Sequence, residues 1–338
     1  MSFVINSCEW DFSGKDANAV SIMLEQFLER VDIANQRSEN VYIGAELQSK
    51  HVCGNMDLWT FLYDPSMAEI DGSLLGELSA VLDNIECYED LANWPPNFPE
   101  DAFFDDGRDL GLDLAFAHYS NLAKTPMGCI TLSLRGTILT KSAHGSISVP
   151  LISDEYSHKK FWRKTALSML RDTPHNLEAL SPSMYPNLHF FEGVWGGISN
   201  FQGGYPRASH KLKKYLECLD DYGNWVFKAP PPAVHPSDTI ESQDGVSPTN
   251  ELIERRFNGL GLDMAPEKPN VRNDTKCYNA RAVNLNYSIK GKEQTIELYC
   301  EWHGKLEQHT NRIHIHPPIV PTQGKVLIAI YHQHLPLP

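Results

Sequence analysis

The sequence predicts an α+β protein, with helices plus a β-hairpin in the N-terminal half, basic helices in the middle and a C-terminal antiparallel β-meander. Three observations carry that prediction. Apolar residues recur at helical spacing in several stretches before position 230. From Val283 onward they alternate at period two, as half-buried strands require. Between these regimes lies Ala229 to Asn250, which reads as an extended linker because Pro230-Pro231-Pro232, His235-Pro236 and Ser247-Pro248 leave it hardly any aliphatic residue. The expected domains are 1–153, acidic helix and hairpin; 154–228, basic helical; 229–250, linker; and 251–338, meander.

Taken in order, Asp16 is a plausible N-cap for a helix whose Val20, Met23, Leu24, Phe27, Leu28 and Val31 share one face. A strand is expected at Val41 to Ile43 and a helix at Ser73 to Leu82. Asn93 to Asp109 should be irregular, with Asp101, Asp105, Asp106 and Asp109 forming an acidic loop that lacks calcium-loop spacing. A helix at Leu110 to Leu122 precedes a hairpin of Cys129 to Lys141 and Gly145 to Ile152 around His144. Two basic helices follow. The first, His158 to Leu170, turns Lys159, Lys160, Arg163 and Lys164 outward; the second, after Gly203-Gly204, presents Arg207, Lys211 and Lys214. These seven cations are the candidate phosphate-backbone contacts. Glu251 to Phe257 is a short helix.

Composition narrows the function classes. The chain has 338 residues, 41% hydrophobic and 21% charged, as soluble globular proteins do. No apolar run approaches the ~20 residues of a membrane span, and the N-terminus lacks the basic flank and apolar stretch of a signal peptide. Seven scattered cysteines without a CxxC favour free thiols and a cytoplasmic setting. The net charge of −14 is asymmetric: residues 1–150 hold 23 acids against 8 bases, and the remainder 20 against 21. An acidic front half repels nucleic acid, so a polyanion belongs to the back half and a basic protein partner to the front. The first half has no phosphate-binding glycine loop, GxSxG or HExxH, which argues against an ATPase or a simple serine hydrolase.

The chemistry concentrates late. Six of the 14 histidines follow position 300, at 303, 309, 314, 316, 332 and 334. Period-two alternation should place Glu301, His303, Arg312, His314 and His316 together on an open sheet face, with Lys305 and Glu307 nearby. His303, His314 and His316 are acid-base candidates, Glu301 and Glu307 their partners, and Lys305 and Arg312 the charge stabilisers. His314 and His316 also offer an alternative divalent-metal site. Strand parity puts His332 and His334 on the opposite side, unless a bulge re-aims them.

Late strands with His, Lys, Glu and Arg on one face resemble the sheet of RelE-type mRNA interferases. The ending Arg312-Ile313-His314-Ile315-His316, Lys325-Val326-Leu327-Ile328-Ala329-Ile330 and His334-Leu335 resembles bacterial toxin-like or phage-defence proteins. The resemblance implies a nucleic-acid effector, cutting RNA rather than DNA without a cofactor. The competing expectation is a non-catalytic component of a multiprotein defence assembly that binds its partner through the acidic half.

Overall fold

A computed structural model describes residues 2–90, 103–108, 110–238 and 245–338. The chain divides into two compact units, Met1–Asp172 and Thr173–Pro338. The α+β expectation holds for the chain, but the basic stretch 154–228 is not one region. Its first helix, Glu155–Lys160, continues through a π-helical turn, Phe161–Ala166, and belongs to the first unit. The aromatic residues decide this, since Phe161 and Trp162 meet Phe3 with ring centroids 5.1 and 6.1 Å apart. The second helix, Gly204–Lys228, belongs to the second unit.

The first unit is built on a seven-stranded sheet. Five strands run parallel, in the spatial order Glu86–Cys87, Asn40–Ile43, Ser2–Ile5, Met127–Ile130 and Gly145–Ile152. Thr137–Ser142 and Phe103–Phe104 extend it antiparallel. The expected helices form at Ala17–Gln36, Gly72–Asn84 and Leu112–Leu122, and the Asp16 carboxylate accepts from the Ala19 N–H at 2.8 Å as an N-cap should. The central strand was not anticipated, because all four residues of Ser-Phe-Val-Ile are buried and show no alternation. Its Val4 packs with Leu114 and Phe116, whereas Phe3 faces His158 and Phe161. The anticipated strand Cys129 to Lys141 is two strands, broken between Ile130 and Thr137.

The second unit has a five-stranded sheet in the order Leu188–Phe190, Val326–His332, Thr310–His316, Trp302–Glu307 and Met264–Pro266. The first pair is parallel and the others antiparallel. A separate hairpin joins Ala282–Ile289 to Lys292–Tyr299. The expected single meander is therefore divided, because the strand read through His303 breaks at Cys300-Glu301. Two different cores account for the break. Cys300 packs with Val283, Leu285 and Leu298, while Trp302 packs against Phe227 and Phe257. One apolar alternation thus serves two hydrophobic clusters.

The expected linker is partly docked. The Arg256 guanidinium donates to the carbonyls of Val226, Pro230 and Ala233 at 2.9, 3.0 and 2.7 Å, fixing the chain through 233; residues 239–244 lie outside the described set. No helix among the described residues is long and apolar enough to cross a membrane.

Candidate functional site

Register brings part of the histidine set together. Trp302–Glu307 pairs with Thr310–His316 so that His303 faces His314 and Lys305 faces Arg312. The two imidazoles stack with centroids 5.6 Å apart. On the other side of His303 lies Ala265, and two residues on, Glu267 donates its N–H to the Glu301 carbonyl at 2.8 Å. That places the Glu267 carboxylate beside the pair. Its Oε1 is 2.6 Å from Arg281 Nε, 3.4 Å from His303 Nδ1 and 3.9 Å from His314 Nδ1. Arg281 Nη1 also donates to the carbonyls of Cys277 and Pro336, both at 3.0 Å. Glu267, Arg281, His303, Lys305 and Arg312 line a cavity of about 510 Å³.

The face is not open as expected. His314 is fully buried, because the hairpin Ala282–Tyr299 packs on Leu327, Ala329 and Ile330, and Ile330 lies directly opposite His314. Burial pushes His303 down to about 4, with Arg312, Lys305 and Arg281 acting the same way and Glu267 opposing. Burial holds His314 well below its usual 6.5, helped by His303, Arg281 and Arg312. Both imidazoles are consequently neutral at pH 7; each keeps one N–H and one lone pair but lacks the second proton that a general acid gives up.

The remaining candidates are dispersed. Glu301 turns toward Asn250 (3.1 Å) and Arg272 (3.8 Å). His316 Nδ1 donates to the Pro317 carbonyl at 2.8 Å, and burial lowers its pKa. Glu307 pairs with Arg207 at 2.9 Å. A register shift between His314 and Ile315 does re-aim the last strand, setting His332 opposite Arg312 rather than on the reverse face. Among the described residues no three His, Cys, Asp or Glu side chains converge to hold a metal ion, so the alternative at His314 and His316 lacks a third ligand.

A second cavity of about 470 Å³ adjoins the first, with Lys305 and Arg312 in the lining of both. Lys211, Lys214 and His309 line it as well, against Asp263 and Glu307. Lys305 is held by Asp263 at 3.0 Å, and Lys214 donates to the Gly261 carbonyl at 3.1 Å. Arg312 is half-buried, and its Nη1 has no hydrogen-bond partner among the described residues.

In the first unit, Lys159 is buried and paired with Glu155 at 3.1 Å, so it is not an outward cation. Lys160 lies over the Tyr156 ring at 5.9 Å, Arg163 is half-buried and Lys164 exposed. Asp105 pairs with Lys141, and Asp106 with Arg108 at 2.6 Å; Asp101 and Asp109 lie outside the described residues.

Sequence reasoning missed Glu267 and Arg281. Glu267 follows Pro266 in a stretch without periodicity, and Arg281 immediately precedes a strand, so neither carries a one-dimensional signal. No protein-family model, curated protein or solved structure matches this chain.

Proposed function

We propose that the second unit binds the phosphate backbone of nucleic acid, RNA in preference to DNA, and cleaves RNA without a metal as part of a cytoplasmic toxin-like or phage-defence effector. The observation that carries this reading is Arg312, set between two cavities with Nη1 buried and unpartnered, and with Lys211, Lys214 and Lys305 around one of those cavities. Nη1 itself is closed to solvent, but Arg312 lines both cavities, and a phosphate in the second would meet charge from four side chains at once. In cleavage, the Glu267 carboxylate, 3.4 Å from Nδ1 though outside hydrogen-bond geometry, favours the His303 tautomer with its proton on Nδ1 and leaves Nε2 to take the proton of a ribose 2′-hydroxyl. The 2′-oxygen attacks phosphorus, the 5′-oxygen leaves with a proton from water, and a 2′,3′-cyclic phosphate results. Lys305 and Arg312 neutralise the charge that develops. DNA lacks the attacking hydroxyl.

One observation favours the non-catalytic reading, a component of an assembly whose acidic half engages a protein partner. Both buried imidazoles are held neutral, so neither can act as the general acid at pH 7. Labelled RNA and DNA incubated with and without EDTA separate the two. Catalysis predicts RNA cleavage that resists EDTA and drops by ~100-fold or more in His303→Ala, the usual weight of a general base. Salt-dependent binding without cleavage, weakened in Arg312→Ala with a salt slope smaller by about one, would leave the non-catalytic reading. Absence of any nucleic-acid binding would sink the nuclease and leave the assembly component.

A further inference from the structure

The first unit holds a crevice of a different kind, independent of the reading given to the second. Numbered in chain order, its five parallel strands lie 3-2-1-4-5. From the central strand Ser2–Ile5 the chain moves to one side for the second and third strands, then returns to the other side for the fourth. The connections leaving the carboxyl ends of Ser2–Ile5 and Met127–Ile130 therefore diverge, which is where open α/β sheets form their ligand crevices.

Half of that crevice is closed by the protein itself. The Glu9 carboxylate accepts the N–H groups of Leu132, Ser133 and Leu134 at 3.2, 3.2 and 2.7 Å, and the Ser133 hydroxyl at 3.1 Å. Successive backbone N–H groups of this kind are a phosphate-binding nest, and here an internal anion already fills it. The turn Asn6 to Glu9 also contains no glycine that would let a pyrophosphate approach.

The other half is a cavity of about 400 Å³. Its floor is Asp113, 2% exposed, which accepts from the Ser7 N–H at 2.8 Å, from the Ser7 hydroxyl and from the Tyr88 hydroxyl at 2.9 Å. Gly44 keeps the space clear, since a Cβ there would stand 2.8 Å from Asp113 Oδ1 and 2.9 Å from the Tyr88 oxygen. Lys50 Nζ donates to the Ser7 carbonyl at 3.1 Å, and Glu46 lines the cavity three residues beyond the second strand. An acidic side chain in that neighbourhood of such sheets receives ribose hydroxyls.

We propose that this crevice binds a ribonucleoside through its 2′,3′-diol, with Glu46 accepting the diol hydroxyls and Lys50, in the same turn and reaching to Ser7, donating to the ligand. The volume is near the lower end of the ~300–1,000 Å³ found for ligand pockets, which suits one nucleoside rather than a dinucleotide. The filled nest removes the site for a diphosphate.

Calorimetric titration of the full chain tests this, using adenosine, guanosine, cytidine and uridine, each with its 2′-deoxy counterpart, and ADP. At least one ribonucleoside should bind. Its 2′-deoxy form, and the Glu46→Gln variant, should each bind about tenfold or more weakly, as expected for a lost hydrogen bond to a charged group. Lys50→Met provides a second rim variant with the same expectation, and thermal melts establish that both variants are folded. ADP should bind no better than adenosine. Failure of every ribonucleoside to bind at millimolar concentration, equal binding of the 2′-deoxy forms, or unchanged affinity in both folded variants would overturn the proposal.

Discussion

Two buried polar clusters, one in each unit, follow opposite rules. In the first unit, Asp113 receives three hydrogen bonds from Ser7 and Tyr88. In the second, Nη1 of Arg312 has no hydrogen-bond partner among the described residues, and His314 meets only the Cys300 backbone, outside good hydrogen-bond geometry. Buried polar groups are normally satisfied. The first cluster is therefore a finished network that shapes a cavity floor, whereas the second is incomplete and is held in place by the Arg281–Glu267 pair. A complete network shapes the cavity around it, whereas an incomplete one carries the desolvation cost of its unpaired groups.

The largest expected effect breaks the incomplete cluster. Arg281 and Glu267 have side chains 3% and 6% exposed. Arg281→Met leaves the carboxylate buried and uncompensated, and should cost about 3–5 kcal/mol in urea unfolding. The double variant Arg281→Met/Glu267→Leu should recover most of that loss, because both charges are then gone. If the single variant is as stable as wild type, the pair does not hold the cluster.

The next effect separates the clusters by the sign of their pH response. His303 is depressed from 6.5 to about 4, so the unfolded chain binds more protons between those values. Its contribution is fully present above pH 6.5 and is lost as pH falls through about 4, with a total of about 3 kcal/mol from the shift. Asp113 runs the other way: burial raises its pKa above 3.8, so the folded chain holds the extra proton and stability falls as pH rises from that value. Urea midpoints measured across the acid range should rise with pH through the histidine window, and the rise should flatten in His303→Gln. An unchanged slope in that variant would remove His303 as the source.

His314→Leu replaces an unsatisfied buried imidazole with an apolar side chain of similar bulk. It should be neutral or stabilising by up to ~1 kcal/mol, unlike most substitutions of a fully buried residue. Destabilisation by several kcal/mol would mean that the Cys300 backbone satisfies His314.

Much of the local structure was legible in the sequence. The cap at Asp16, the helix faces of Ala17–Gln36 and Gly204–Lys228, and the late strands all follow from periods of 3.6 and 2 that a single stretch displays. The same alternation put His303, Arg312 and His314 on one face, but their pairing, His303 with His314 and Lys305 with Arg312, is set by the register of the two strands. Other parts of the site carried no such signal. Glu301 and Glu307 were the expected acidic partners, but the carboxylate beside His303 is Glu267, delivered by a short edge strand that pairs across a sequence gap of dozens of residues.

By itself the sequence determined where helices and strands form, which side of each is apolar, and that acid gathers in the first half and histidine in the last strands. These are properties of neighbouring residues, set by backbone geometry and side-chain polarity. Only the tertiary structure decided that the first four buried residues are the centre of a parallel sheet, that one alternating run crosses from one core to another at Cys300, and that the histidine face is covered instead of open. Each of those outcomes depends on what a distant segment buries against the same surface, and apolar burial is non-directional, so no local pattern specifies its partner.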